Sequence, residues 1–152
     1  MMTKIAILMG SENDRNIMNS AEKILDEFGV EYETHIISAH RNPLKVQEFA
    51  QKARENGFSA IICGAGYAAH LAGVVASYTT LPVLAVPLDS SPLKGVDSLY
   101  SMVMMPSGIP VATFTIGSAG AKNAAIFAVE MLSITDSYLK EKLDKYRESF
   151  NR

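Results

Sequence analysis

The hydrophobic positions of this chain alternate between two rhythms. A short continuous apolar run, Ile5-Ala6-Ile7-Leu8-Met9, is closed by Gly10, as a strand buried on both faces requires. A three- and four-residue rhythm follows, with Ile17, Met18, Ala21, Ile24, Leu25 and Phe28 on one stripe and Gly29 as a stop; this predicts an amphipathic helix. The alternation then repeats. Residues 32–38, rich in β-branched and aromatic side chains, predict a second strand, and Leu44, Val46, Phe49, Ala50 and Ala53 predict a helix from Pro43 that ends by Gly57. Residues 60–63 predict a third strand, Gly64-Ala65-Gly66 a turn, and residues 68–77 a helix of small residues. Residues 81–87 predict a fourth strand, bracketed by prolines that cannot donate to a ladder. A polar, proline-containing loop spans residues 88–94. Beyond it, residues 96–104 predict a short helix, 111–116 a fifth strand and 119–132 a further helix.

Five strands, each followed by helical pattern, imply a parallel sheet with right-handed crossovers and helices on both faces. The expected fold is α/β and doubly wound: a flavodoxin-like three-layer α/β/α sandwich around a central five-stranded parallel sheet. Residues 1–133 form its body. In the tail, residues 134–152, Leu139, Leu143, Tyr146 and Phe150 share one helical stripe. That helix must cover something, either its own domain or a neighbouring subunit.

The length of 152 residues suits one domain with a real core. A net charge of -2, with Lys and Arg scattered, argues against nucleic-acid binding, which calls for a basic surplus or stripe. The densest basic stretch, residues 140–152, alternates with acids as a solvated helix face does. The single Cys63 sits inside an apolar run and reads as a small core residue, not a reactive thiol. With no internal disulfide possible, a reducing cytoplasm is the expected setting. The first residues pass straight into a strand pattern without a signal segment, and no apolar run reaches bilayer length.

In a parallel sheet the turns after the first three strands emerge at the same carboxyl edge, where ligands bind near the switch in strand order. The first turn is Gly10-Ser11-Glu12-Asn13-Asp14. Gly10 permits a tight turn, and Ser11 with the free N–H groups of the coming helix can hold a phosphate. Asp14 suits ribose hydroxyls better than an anion; equally, Ser11 or Asp14 could do no more than cap the helix. Neither a Walker loop nor a Gly-x-Gly-x-x-Gly fingerprint is present. The second turn, Ser38-Ala39-His40-Arg41-Asn42-Pro43, places an imidazole, the side chain that titrates near neutrality, beside a permanent cation that grips phosphate or carboxylate. This pairing points to acid/base chemistry on an anionic substrate, although Ser38 could simply satisfy backbone groups at a strand end. His35, within the strand, reads as structural. The third turn, Gly64-Ala65-Gly66-Tyr67-Ala68-Ala69-His70, offers backbone amides to a carboxylate or a developing anion. Its glycines also suit a strand that must simply turn into a helix, and His70 reads as a core or capping residue or as a group that touches the site.

Together these turns resemble the PurE family, the N5-carboxyaminoimidazole ribonucleotide mutases of purine biosynthesis. The resemblance runs nearly end to end: Met9-Gly10-Ser11 with Asp14; Ser38-Ala39-His40-Arg41 with Pro43; Gly64-Ala65-Gly66 with Ala68-Ala69-His70-Leu71; Leu81-Pro82-Val83; Gly95-Val96-Asp97-Ser98-Leu99; and Met105-Pro106 with Gly108-Ile109-Pro110-Val111-Ala112-Thr113. It implies a flavodoxin-like catalytic domain assembled as a homo-octamer with sites between subunits. The implied reaction moves a carboxylate from the exocyclic nitrogen of the ribonucleotide to ring carbon C4. The substrate is a small molecule, and no metal, nucleotide cofactor or biotin takes part. By the same resemblance His40 moves the proton, Ser11, Ser38 and Arg41 contact phosphate, and Asp14 contacts the ribose. Gly64, Ala65, Gly66, Ala68 and Ala69 surround the migrating carboxylate or CO2, with His70 as an accessory. Gly10 and Asn13 join the phosphate turn, and Lys94, in the loop from Ser90, helps close the pocket. The chain departs from the family pattern at Asn13, where a second serine is common, at Tyr67 and Ala85, where glycine is common, at Ala72 in place of proline and at Met104 in place of glutamine. Two other readings stand beside this one. A related carboxylase makes the same product from aminoimidazole ribonucleotide and free CO2, and a non-catalytic nucleotide-binding module could use the same scaffold.

Overall fold

The computed structural model describes residues 4–151. Residues 1–3, which carry part of the expectation of a start without a signal segment, and Arg152, the end of the predicted tail, lie outside the described residues. Strands and helices alternate as β1 (Lys4–Met9), α1 (Arg15–Phe28), β2 (Tyr32–Ile36), α2 (Pro43–Lys52), β3 (Phe58–Ala65), α3 (Leu71–Tyr78), β4 (Val83–Pro87), α4 (Val96–Val103), β5 (Ala112–Thr113), α5 (Ser118–Ser133) and α6 (Ser137–Glu148), with a 3-10 turn at Glu12–Asp14. The sheet order is β2-β1-β3-β4-β5 and every pairing is parallel. This is the flavodoxin-like order: the chain leaves β1 on one side to make β2, then returns on the other side to make β3. The reversal opens a crevice at the carboxyl ends of β1 and β3.

Successive side chains of a strand face opposite ways, and both faces of the central strands are covered. Ile5, Ile7, Met9, Ile62, Leu84 and Val86 pack toward α1 and α5, whereas Ala6, Leu8, Ile61, Cys63, Val83 and Ala85 pack toward α2 and α3. That double burial is why the strands read as unbroken apolar runs. Cys63 belongs to this core, and burial pushes its thiol far up from the ordinary value. The apolar stripe of α1 is buried as the periodicity predicts, through Met18, Ala21, Ile24, Leu25 and Phe28. The facing side of α5 is built from Ala121, Ala124, Ala125 and Ala128, whose small side chains let the two helices approach closely.

The tail helix packs on its own chain. Leu139 and Leu143 are buried in the α1/α5 layer, Tyr146 meets Phe28 edge-on at 5.4 Å, and Lys142 Nζ donates to the Phe28 carbonyl at 2.9 Å. A cation at that point complements the carbonyl end of α1. Phe150, placed on the same stripe by periodicity, stays exposed.

Several boundaries differ from the pattern-based expectation. β3 runs on through Gly64 and Ala65, because β1 and β4 both continue beside it, pairing Met9 with Gly64 and Ala65 with Pro87. The third turn therefore begins at Gly66, and α3 begins at Leu71 instead of residue 68. β5 shrinks to two residues of the six expected. Among the described residues it has one neighbour, and beyond Thr113 two isolated bonds follow β4, from Phe114 N–H to the Ala85 carbonyl and from Gly117 N–H to the Pro87 carbonyl.

Candidate active site

All three turns identified from sequence converge on a cleft of about 400 Å³ at the carboxyl edge of the sheet. In the first turn the Ser11 hydroxyl accepts a hydrogen bond from Asn13 N–H at 3.2 Å, and Asp14 Oδ2 accepts one from Ser11 N–H at 3.1 Å. This reciprocal box satisfies two amides that a helix start leaves without partners. Capping and cleft lining are thus not alternatives here, because Gly10, Ser11, Asn13 and Asp14 also line the cleft. Asp14 is only 7% exposed. Burial raises its carboxyl above the ordinary aspartate value, and the Ser11 N–H bond opposes that rise.

The second turn is closed by Ser38, whose hydroxyl accepts from Arg41 N–H at 3.2 Å while its carbonyl accepts from Asn42 N–H at 2.9 Å. Pro43 then starts α2 in the position that needs no amide donor. The closure sets Ser38, Ala39, His40 and Arg41 along one wall of the cleft. Arg41 is exposed and its guanidinium has no partner among the described residues, whereas Arg15 pairs with Glu12, Arg147 with Glu130 and Arg54 with the Thr80 hydroxyl. A guanidinium left unpaired beside a helix start is equipped for an anion.

Ala65, Gly66, Tyr67, Ala68, His70 and Leu71 form the third wall. Gly64 and Ala69, grouped with that turn from sequence, lie behind it. A Cβ on Gly64 would stand 2.3 Å from Met18 Sδ, so this glycine lets α1, which follows the first turn, seat against β3. Ala69 is 1% exposed in the core. A Cβ on Gly66 would stand 2.1 Å from the Ser90 hydroxyl oxygen, so here the missing side chain leaves room for Ser90 to reach the cleft from the loop after β4. The buried Ser98 hydroxyl braces that loop, within 2.8 Å of the Leu88 carbonyl and 2.9 Å of the Gly95 carbonyl. Lys94 stands outside the cleft walls, and so does His35, whose ring packs 4.9 Å from Phe49.

Across the cleft floor, His40 Nε2 lies 2.8 Å from His70 Nδ1, with the two rings perpendicular at 87°. One nitrogen must carry the hydrogen and the other must offer a lone pair. The contact therefore holds a single hydrogen between the two rings, since two N–H groups cannot point at each other across 2.8 Å. His40 and His70 stand on separate turns, and nothing local in the sequence shows that they touch. Ala39, Leu71 and Ser90 line the cleft as well, without a chemical signal in their residue types that marks them from sequence.

Residues 4–152 match the family model described as AIR carboxylase. The N5-carboxyaminoimidazole ribonucleotide mutase of Pyrococcus abyssi is 53% identical over 151 residues, covering 99% of this chain and 86% of its own length. The enzyme of that name from Haemophilus influenzae is 51% identical over 146 residues, covering 96% of this chain and 89% of its own. Among solved structures, PurE of Treponema denticola superposes with a TM-score of 0.88 at 30% identity, covering 97% of this chain and 91% of that one.

Proposed function

Because the chain belongs to the AIR carboxylase family, we propose that it is an N5-carboxyaminoimidazole ribonucleotide (N5-CAIR) mutase, which converts N5-CAIR to 4-carboxyaminoimidazole ribonucleotide (CAIR). The observation that carries this reading is the 2.8 Å contact of His40 with His70 in a cleft that also presents the unpaired Arg41. A proton-transfer pair and an anion site stand within one substrate's reach.

The phosphate fits against Arg41, the Ser11 and Ser38 hydroxyls and the amides of the first turn, while Asp14 takes the ribose hydroxyls. This orientation delivers the aminoimidazole ring to His40. The bond from the exocyclic nitrogen to the carboxylate carbon breaks, its electron pair stays on nitrogen, and nitrogen takes the proton of a charged His40. Aminoimidazole ribonucleotide (AIR) and CO2 are then held together. C4 attacks the CO2 carbon, and neutral His40 removes the hydrogen from C4 as the ring regains aromaticity. Protons balance, one lent and one returned, which one imidazole can do near neutral pH. Amides of residues 65–68 face the carboxylate as it leaves and re-forms. Holding CO2 beside its acceptor replaces a bimolecular encounter with an intramolecular one.

On the same reading the enzyme needs no metal or cofactor and works in the cytoplasm as a homo-octamer. Apolar side chains left open on and beside α4, Leu93, Tyr100 and Met104 (81% exposed), support burial against further copies. No helix among the described residues is long and apolar enough to cross a membrane. The decisive measurement is conversion of N5-CAIR to CAIR by purified protein without ATP or added metal. Binding that survives in His40→Asn while turnover is lost supports the proton-transfer role. A protein that ignores N5-CAIR and needs high bicarbonate with AIR overturns the mutase reading.

A further inference from the structure

We propose that the ring of Tyr67 is the cover of this cleft, stacking on the aminoimidazole ring and retaining CO2 between its release and its recapture; the proposal rests on the mutase reading above. The backbone supplies the first observation. Tyr67 has φ of 56°, the left-handed region that a bulky side chain enters at a cost, and only Lys94 shares this among the described non-glycine residues. Glycine would occupy that conformation without strain. The side chain supplies the second. The residue is 57% exposed, and among the described residues the phenol has no hydrogen-bond partner and the ring no aromatic partner. Neither backbone nor side chain of Tyr67 is therefore explained by the stability of the fold.

Location supplies the third observation. Tyr67 lines the cleft with His40, Arg41 and His70, whereas Lys94, the other residue with this backbone, does not. Strain held at one wall of a cleft and unaccounted for by packing marks a functional position. The turn that carries Tyr67 runs from the end of β3 to the start of α3, with Gly66 and Ala68 on either side. Small neighbours leave the ring free to lie along the opening.

The chemistry follows from what the cleft must hold. A flat π surface suits stacking against a heteroaromatic ring. CO2 is neutral and a poor hydrogen-bond acceptor, so hydrogen bonds hold it weakly and closing the exit matters more. The ring, not the hydroxyl, performs both tasks, which makes Tyr67 a determinant of substrate affinity and of commitment to the C4 carboxylate.

The test uses N5-CAIR labelled with carbon-13 in its carboxylate, turned over in unlabelled bicarbonate, with label in CAIR and free AIR both measured. Wild-type protein is expected to keep the label. Tyr67→Gly is expected to raise KM about ten-fold, release AIR and lose label to the medium, with a melting temperature no lower than wild type because the left-handed position is relieved. Tyr67→Phe is expected to restore retention. If Tyr67→Gly keeps both KM and label, or if Tyr67→Phe fails as badly as Tyr67→Gly, the cover is overturned while the mutase reading stands. A change confined to oligomer size in Tyr67→Gly overturns it too. Wild-type protein that does not convert N5-CAIR overturns the reaction and this role together.

Discussion

Removing His70 asks whether His40 works alone. Its Nδ1 lies 2.8 Å from His40 Nε2, a full hydrogen bond, and the pair is exposed at the cleft floor. A neutral hydrogen bond contributes about 0.5–1.5 kcal/mol net, and one to a charged partner about 1.5–3 kcal/mol. The difference, about 1–1.5 kcal/mol, bounds what this bond gains as charge develops across it in the transition state. Spread over the barrier, that is about ten-fold in rate. Water can replace part of it at an exposed site, so ten-fold is the ceiling for a partner acting through His40. Loss of the proton shuttle itself costs about 100- to 10,000-fold. His70→Leu is therefore expected to lower kcat for N5-CAIR by up to about ten-fold with little change in KM, against a far larger loss in His40→Asn. The double variant should be no slower than His40→Asn, since a helper has nothing left to help. Initial rates at saturating substrate give all four corners of the cycle. Losses that multiply would show two independent proton-transfer groups, and a His70→Leu loss equal to that of His40→Asn would make His70 the shuttle.

Two further variants probe the walls. Gly66→Ala puts a Cβ 2.1 Å from the Ser90 hydroxyl oxygen; Ser90 is exposed and can rotate away, so the fold should lose about 1 kcal/mol, or 2–4 °C in Tm by calorimetry, while KM rises because the hydroxyl leaves the cleft. Adding Ser90→Ala should recover Tm and leave KM high, and a recovered KM would remove Ser90 from the substrate's contacts. Asp14→Asn tests a burial cost. Burial raises the native carboxyl above its unfolded value, so between those two values the folded state binds more protons and stability falls as pH rises, the full penalty remaining above that window. Asp14→Asn should accordingly melt higher than wild type at pH 7 and bind N5-CAIR more weakly, with the stability gain fading in melts taken below the unfolded value. A gain independent of pH would refute the assignment to desolvation.

Much of the fold was legible because a parallel strand covered on both sides must be apolar at every position. Residues 5–9 and 60–63 announced themselves that way, and the stripe of α1 with its stop at Gly29 needed only the helical period. What failed was locally undetermined. The end of β3 depends on whether β1 and β4 continue beside it, so Gly64 and Ala65, which look like turn residues, are strand. The reach of β5 depends on how long its one neighbour accompanies it. Periodicity placed Phe150 with Leu139 and Leu143 but could not say where the surface under α6 runs out.

The chemistry divides along the same line. Residue types at strand ends determine what each turn can do: an imidazole beside a fixed cation at His40 and Arg41, a capped amide cluster at Ser11 to Asp14, bare backbone near Gly66. These properties belong to a few consecutive residues, and the sequence contains them whole. Only the tertiary structure decides which turns face one another. The switch between β1 and β3 brings the three turns to one crevice, sets His70 against His40 although 30 residues separate them, seats Met18 in the space at Gly64, and lets Ser90 past Gly66. It also puts Tyr67 in a strained backbone at the rim. Contacts between distant segments follow from strand order and packing, which no short stretch of chain encodes.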